Sequence, residues 1–209
     1  MPDKTTVMLS NISIYKKIVD SHYNHYLELN TEYDEMKKKT SDANVAEMAG
    51  ELYNLESAMD CDAAVILVFA QMTIEAFCNV YLLQHFSKTQ IKDKSFIDKL
   101  KLSIITIMGE EGKTITDADA PNYYGADIPG IITIRKKFVH RYPISFDLSL
   151  TSEDEFKKDS ANGVQEIEAG YLRRIKRADV DNAATAYQRL LDKLKASGAD
   201  FDKFRFQYK

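Results

Sequence analysis

A chain of 209 residues with 44 % apolar and 11 % aromatic content has enough side-chain mass for one substantial core, which argues against a disordered segment. Four prolines and eight glycines are too few to turn the many short strands of an all-β domain. The net charge of −4 gives no overall attraction to nucleic acid, so any such site must be a local basic patch.

The first residues, MPDKTTVMLSN, lack a basic stretch followed by an apolar run. No secretory signal is expected, and the reading is cytoplasmic. Ile14, Ile18, Tyr26, Leu29 and Tyr33 recur at helical spacing and predict an amphipathic helix over 11–39. TSDAN at 40–44 reads as a turn, with Ser41 or Asp42 capping the next helix. That second helix, over about 43–57, directs Val45, Met48, Leu52 and Leu55 inward. It either continues into a third helix over about 61–86 or breaks at Met59–Asp62, where aspartates suit a new helix start.

The third helix is apolar nearly all round and is expected at the centre of the fold. Its stretch AAVILVFAQMTIEAFCNVYLL, residues 63–83, is long enough to span a bilayer. Gln71, Glu75 and Asn79 sit in its middle, however, and an ionised glutamate at the bilayer centre is costly. A buried core helix is the better reading, with no membrane. Cys61 and Cys78 on that helix would lie roughly 25 Å apart, too far for a disulfide, and read as reduced, buried packing residues.

Ser95 opens a fourth helix with Asp98 in its first turn, and Gly109 and Gly112 end it. Residues 110–126 read as a polar loop. A fifth helix starts near Asp127 with Pro129 in its first turn and stops before Pro143. The segment 144–176 carries no clear pattern, although 149–156 could open a short helix. A last helix over about 178–197 is capped by Asp179 or Asp181 and stopped at Gly198. The aromatics Phe204, Phe206 and Tyr208 suggest a docked tail. The sum is a single all-α domain over 1–209, an up-and-down helical bundle of about five to seven helices, with helices 11–57 packed on the rest.

Glycine-rich phosphate loops, CxxC pairs, GxSxG and HExxH are all absent, and neither a metal nor a cofactor is expected. His22 and His25 read as a solvated helix face beside aromatics, since a third metal ligand is lacking. His85 suits a helix C-terminus, and Asp117 with Asp119 suits a loop turn. Gln71, Glu75 and Asn79 are spaced four apart and form one polar stripe on an apolar helix. Burying Glu75 without a cation is expensive, so a basic residue should face it. The stripe either reaches solvent at a groove or pairs with an arginine from another helix.

TIRKKFVHRYP, residues 133–143, supplies such an arginine. Arg135, Lys136, Lys137 and Arg141 concentrate positive charge around His140 and Tyr142 at a helix end. That set suits a phosphodiester, with arginine on the phosphate oxygens and histidine moving protons.

Taken with TIEAFCN around Glu75 and SFIDKLKL at 95–102, the run IRKKFVH resembles the HEPN superfamily (higher eukaryotes and prokaryotes nucleotide-binding). The resemblance covers about 60–142 and, less clearly, the last helix at 178–197. It implies an α-helical homodimer whose Arg-x4–6-His motifs face each other across a shared cleft. It also implies a metal-independent endoribonuclease, of a kind found among toxins and antiviral defence effectors. Arg135, His140 and Glu75 would then be catalytic, with Glu75 orienting Arg135. Lys136, Lys137 and Arg141 would bind the RNA backbone, and Gln71 and Asn79 would support the site. Tyr142 completes an Arg-x4-His-x-Tyr pattern, in which a partner nucleotidyltransferase antitoxin can modify the tyrosine. Other members are non-catalytic dimers that bind a nucleotide or a protein, which is the alternative the resemblance carries.

Overall fold

The computed structural model describes residues 11–41, 44–139 and 175–200. They form seven helices and no strand: α1 (Ile12–Lys39), α2 (Val45–His85), α3 (Lys88–Ile91), α4 (Phe96–Glu110), α5 (Pro121–Tyr124), α6 (Asp127–Val139) and α7 (Arg177–Ala196). The all-α architecture expected from composition is therefore present. The segment 144–174, the aromatic tail and the capping candidate Asp42 lie outside the described residues.

Two expected helices are one. α2 runs unbroken for 41 residues, about 62 Å of helix. The aspartates near position 60 do not start a new helix. Asp62 is instead held inside the fold, 5 % exposed, by two imidazoles from α1. Its partners therefore replace the helix-start role suggested by charge alone. The turn before α2 closes through Asn44, whose Oδ1 accepts from the Ser41 amide at 2.6 Å and whose Nδ2 donates to the Lys39 carbonyl at 3.2 Å.

α1 and α2 pack as an antiparallel pair. Two cross-contacts fix their register. The Tyr15 and Phe69 rings lie 5.6 Å apart, and His22 meets Asp62 at 2.7 Å. These contacts stand one heptad apart on both helices. Carried along the pair, the same register sets Val19 opposite Ile66, Tyr26 opposite Met59 and Leu29 opposite Leu55. The repeat of three and four residues is that of an antiparallel coiled coil. His22 and Asp62 form a polar layer within its apolar seam, a device that favours one register over its slipped alternatives.

The two ends of this hairpin differ. Towards the open ends of the helices, Ile12, Val19 and Tyr26 on α1 and Met59, Ile66 and Leu67 on α2 are buried. Towards the turn, no described residue between Leu27 and Ala58 is fully buried, and Tyr53 is 69 % exposed. Ile14, expected in the core, is 54 % exposed, because it lies off the seam that Tyr15 enters.

The second half of α2 is the centre of the bundle, with α4, α6 and α7 packed around it. Ile74, Phe77, Tyr81 and Leu82 are at most 1 % exposed, together with Leu100 and Ile104 of α4 and Leu190 of α7. Full burial of such aliphatic side chains is worth about 1.5–3 kcal/mol each. Length and composition alone would let Met48–His85 cross a membrane, but half of its most apolar stretch is buried against the other helices. Phe77 meets Tyr187 of α7 edge-on at 5.9 Å, and the Tyr23 hydroxyl donates to Asp181 at 2.8 Å, tying α1 to α7.

Helix ends follow local chemistry where it is strong. Ser95 caps α4 as expected, accepting from the Asp98 amide at 3.2 Å. α4 passes Gly109 and stops at Glu110; Gly112, at φ 73°, provides the left-handed turn. The expected polar loop after it contains the short α5, opened by Pro121. α3 begins after Ser87, which forms a capping box with Gln90. Neither Asp179 nor Asp181 caps α7, which begins after Lys176; Asp181 is engaged by Tyr23.

Candidate functional site

The polar stripe of α2 faces two cations from two different helices. Gln71 is 8 % exposed, and its Oε1 accepts from Arg135 Nη1 of α6 at 3.4 Å. One turn on, Glu75 Oε1 accepts from Lys99 Nζ of α4, also at 3.4 Å. α4 and α6 each pack on α2 and hardly touch each other. Arg135 and Lys99 thus approach neighbouring positions of one helix from separate elements. Asn79, half-buried a turn further, makes no side-chain hydrogen bond among the described residues.

The expected pairing is corrected on one point. Glu75 does find a basic partner, but it is Lys99 rather than Arg135. Gln71 takes the arginine. A neutral amide at 3.4 Å satisfies a guanidinium poorly, since charge-assisted bonds to carboxylate close to about 2.7–2.9 Å. Among the described residues the buried Arg135 Nε has no hydrogen-bond partner, and no carboxylate pairs with Arg135.

Lys99 lies within SFIDKLKL at 95–102 but has no role assigned to it from the sequence, although a signal for it exists there. It is the one charged residue facing inward in the apolar run after the Ser95 cap, and its side chain is only 12 % exposed. Ser103, one turn later, returns its hydroxyl to the Lys99 carbonyl at 2.8 Å. Cys78 lies in the same layer, fully buried, and burial pushes its thiol up to about 12 despite a Ser103 hydrogen bond. It is a packing residue there, as expected. Cys61, expected to be buried, is exposed, because its position on α2 faces away from the α1 seam.

The other residues of the basic run are placed only in part. Lys136 and Lys137 stand on α6, their side chains outside the described part, and His140, Arg141 and Tyr142 lie beyond the described residues.

A second polar cluster lies along α2 from the stripe. His22 Nδ1 meets Asp62 Oδ1 and His25 Nδ1 meets Asp62 Oδ2, each at 2.7 Å. The two histidines are thus not a free solvated face. They are tied to one buried carboxylate, a partner that only the heptad register could have indicated. Among the described residues, no three His, Cys, Asp or Glu side chains are placed to hold a metal ion. His85 meets Glu110 Oε1 at 3.5 Å, and the Tyr81 hydroxyl donates to the same carboxylate at 3.0 Å. Burial first, and then Glu110, raises the Tyr81 phenol well above its ordinary value. Asp119 closes a turn on Thr116, as its sequence context suggested.

A cavity of about 260 Å³ opens elsewhere, between the start of α6 and α7. Its Arg189 is already engaged by Asp127 at 3.1 Å and Asn182 at 2.6 Å, and Lys193 also lines it. The α2 stripe is the better candidate because its arginine belongs to the basic run at 133–143 and has no carboxylate partner among the described residues. Comparisons with protein-family models, curated proteins and solved structures found no match to this chain.

Proposed function

We propose that the chain is a HEPN-like, metal-independent endoribonuclease of the cytoplasm, working as a homodimer on RNA. The observation that carries this reading is Arg135. Its guanidinium is partly buried against Gln71, with Nε unsatisfied and no carboxylate partner among the described residues. A charge held this way is unfavourable unless an anion joins it, and a phosphodiester is an anion of suitable shape for arginine.

In the proposed reaction the ribose 2′-oxygen loses its proton and attacks the adjacent phosphorus. The bond to the 5′-oxygen breaks, that oxygen takes up a proton, and a 2′,3′-cyclic phosphate remains. His140 serves as the general base or the general acid. Arg135 stabilises the charge that builds on the phosphorane oxygens. Lys136, Lys137 and Arg141 hold the backbone on either side. Gln71 positions Arg135, and Glu75 and Asn79 complete the polar wall. Tyr142 completes the Arg-x4-His-x-Tyr pattern and is the residue a nucleotidyltransferase antitoxin would modify in a toxin or antiviral defence effector.

The alternative is a non-catalytic HEPN-like dimer that binds a nucleotide or protein. Glu75 favours it, because that carboxylate engages Lys99 and does not orient Arg135. Lys136 also favours it, since the family usually has Asn, His or Asp directly after the arginine. One assay separates the two: RNA cleavage with chelator present, wild type beside His140→Ala. Loss of cleavage in the variant supports the enzyme, and equal cleavage by both sinks it. Tight RNA or nucleotide binding by a wild type that never cleaves supports the alternative.

A further inference from the structure

Resting on the RNA-binding reading of this groove, we propose that Lys99 is a second phosphate-binding cation beside Arg135, and that Glu75 is its resident competitor. Nothing in the basic run 133–143 points to Lys99. It enters from α4, on the other side of the stripe.

Three observations carry the assignment. First, Gln71 and Glu75 are one turn apart on α2, so their Cβ atoms lie about 5–6 Å from each other. Arg135 and Lys99 each bond one of them, which brings both cations to the same short length of groove. Second, the charges do not cancel. Among the described residues two cations meet one carboxylate, leaving one positive charge in excess there within a chain whose net charge is −4.

Third, the two members of the ion pair are unequally held. Lys99 is 12 % exposed, and its backbone is anchored by the fully buried Leu100 and by the Ser103 bond. Glu75 is 36 % exposed, and its contact with Lys99, at 3.4 Å, is longer than a tight charge-assisted bond. Glu75 can therefore rotate towards water while Lys99 stays. An RNA phosphate entering the groove replaces the carboxylate on Lys99 and meets Arg135 on its other side. Without RNA, Glu75 keeps the buried ammonium neutralised.

Competition of this kind gives opposite signs for two substitutions. Glu75→Gln removes the competitor and should tighten RNA binding several-fold. Adding Lys99→Met to Glu75→Gln removes the cation as well and should weaken binding about tenfold relative to Glu75→Gln alone. A purely structural ion pair gives no such reversal.

The probe is a single-stranded RNA with 2′-O-methyl ribose, which cannot be cleaved, monitored by fluorescence anisotropy over a range of salt. Losing one phosphate contact should also lower the salt slope by about 0.7. Lys99→Arg with Glu75→Gln should keep both the affinity and the slope. Lys99→Gln with Glu75→Gln retains hydrogen bonding and serves in place of the methionine variant if that one fails to fold. Equal affinity and slope for Glu75→Gln and the charge-removing double variants overturns the role of Lys99. If Arg135→Ala weakens binding in the same series, only the Lys99 inference falls. If Arg135→Ala also has no effect, or wild type binds no RNA, the RNA reading falls with it.

Discussion

At Asp62, two imidazoles take the two carboxylate oxygens at 2.7 Å each; about 14–20 Å along the same helix, Gln71 and Glu75 meet their cations at 3.4 Å. Both places put polar side chains on the inner face of α2. In the first, the acceptor is saturated by short bonds and the layer is closed. In the second, the bonds are long, and among the described residues one guanidinium nitrogen is unsatisfied and positive charge is in excess. A closed polar layer contributes register and stability, whereas an open one leaves room for a ligand. The contrast suits a structural role for the His22–Asp62–His25 cluster and is the reason binding is proposed at Arg135 and Lys99 instead.

The largest expected effect tests the closed end. His22→Ala with His25→Ala strips both donors from a buried carboxylate and should destabilise the fold by about 3 kcal/mol, read from urea unfolding. Asp62→Ala leaves only the two partly exposed imidazoles unpaired and should cost less, about 1–3 kcal/mol. If the histidine pair proves silent, Asp62 is not held as described and the contrast collapses.

The open end should respond the other way. Arg135→Leu removes a buried, half-satisfied cation, so stability should hold within about 1 kcal/mol or rise. RNA binding in the same variant should fall by tenfold or more. A loss of stability as large as that at Asp62 would mark Arg135 as structural and erase the difference between the two sites.

A control lies outside both. Ser95→Ala removes the cap of α4 and should cost about 1 kcal/mol by thermal or urea unfolding. The pH dependence has a definite sign. Ser95 hydrogen bonds hold the Asp98 carboxyl below its ordinary value, so its contribution is present above the unfolded carboxylate pKa. It fades as pH falls through the lower folded value, and amide protection at the start of α4, taken relative to the intrinsic exchange rate at each pH, should fall there first.

The smallest effect uses the cysteines as reporters, one beside each site. Cys61 precedes Asp62 and is exposed; Cys78 is buried in the layer of Glu75 and Lys99. A thiol reagent at neutral pH should modify one cysteine at once and the second only as fast as the bundle opens. Prompt reaction of both would mean that the groove layer is looser than its burial indicates.

Much of the architecture was legible in the chain. The helical spacing along α1, the Ser95 cap and the start of α6 at Asp127 each rest on interactions within a few residues, and such signals are read locally. The choice between continuity and a break at Met59–Asp62 stayed open, because Asp62 also suits a helix start until its partners, forty residues earlier on α1, are in view. The groove was half legible. The four-residue spacing of Gln71, Glu75 and Asn79 marked the stripe, and burial demanded a cation, but spacing carries no information on which cation arrives.

The sequence by itself determined that the chain is helical, that α2 is its apolar centre and that a polar stripe interrupts that centre, because periodicity and composition are properties of neighbours along the chain. Tertiary structure decided the partners: Lys99 for Glu75, Gln71 for Arg135 and two histidines for Asp62. Each of those choices depends on how helices far apart in sequence are laid side by side, which pairs charges by distance in space rather than by order.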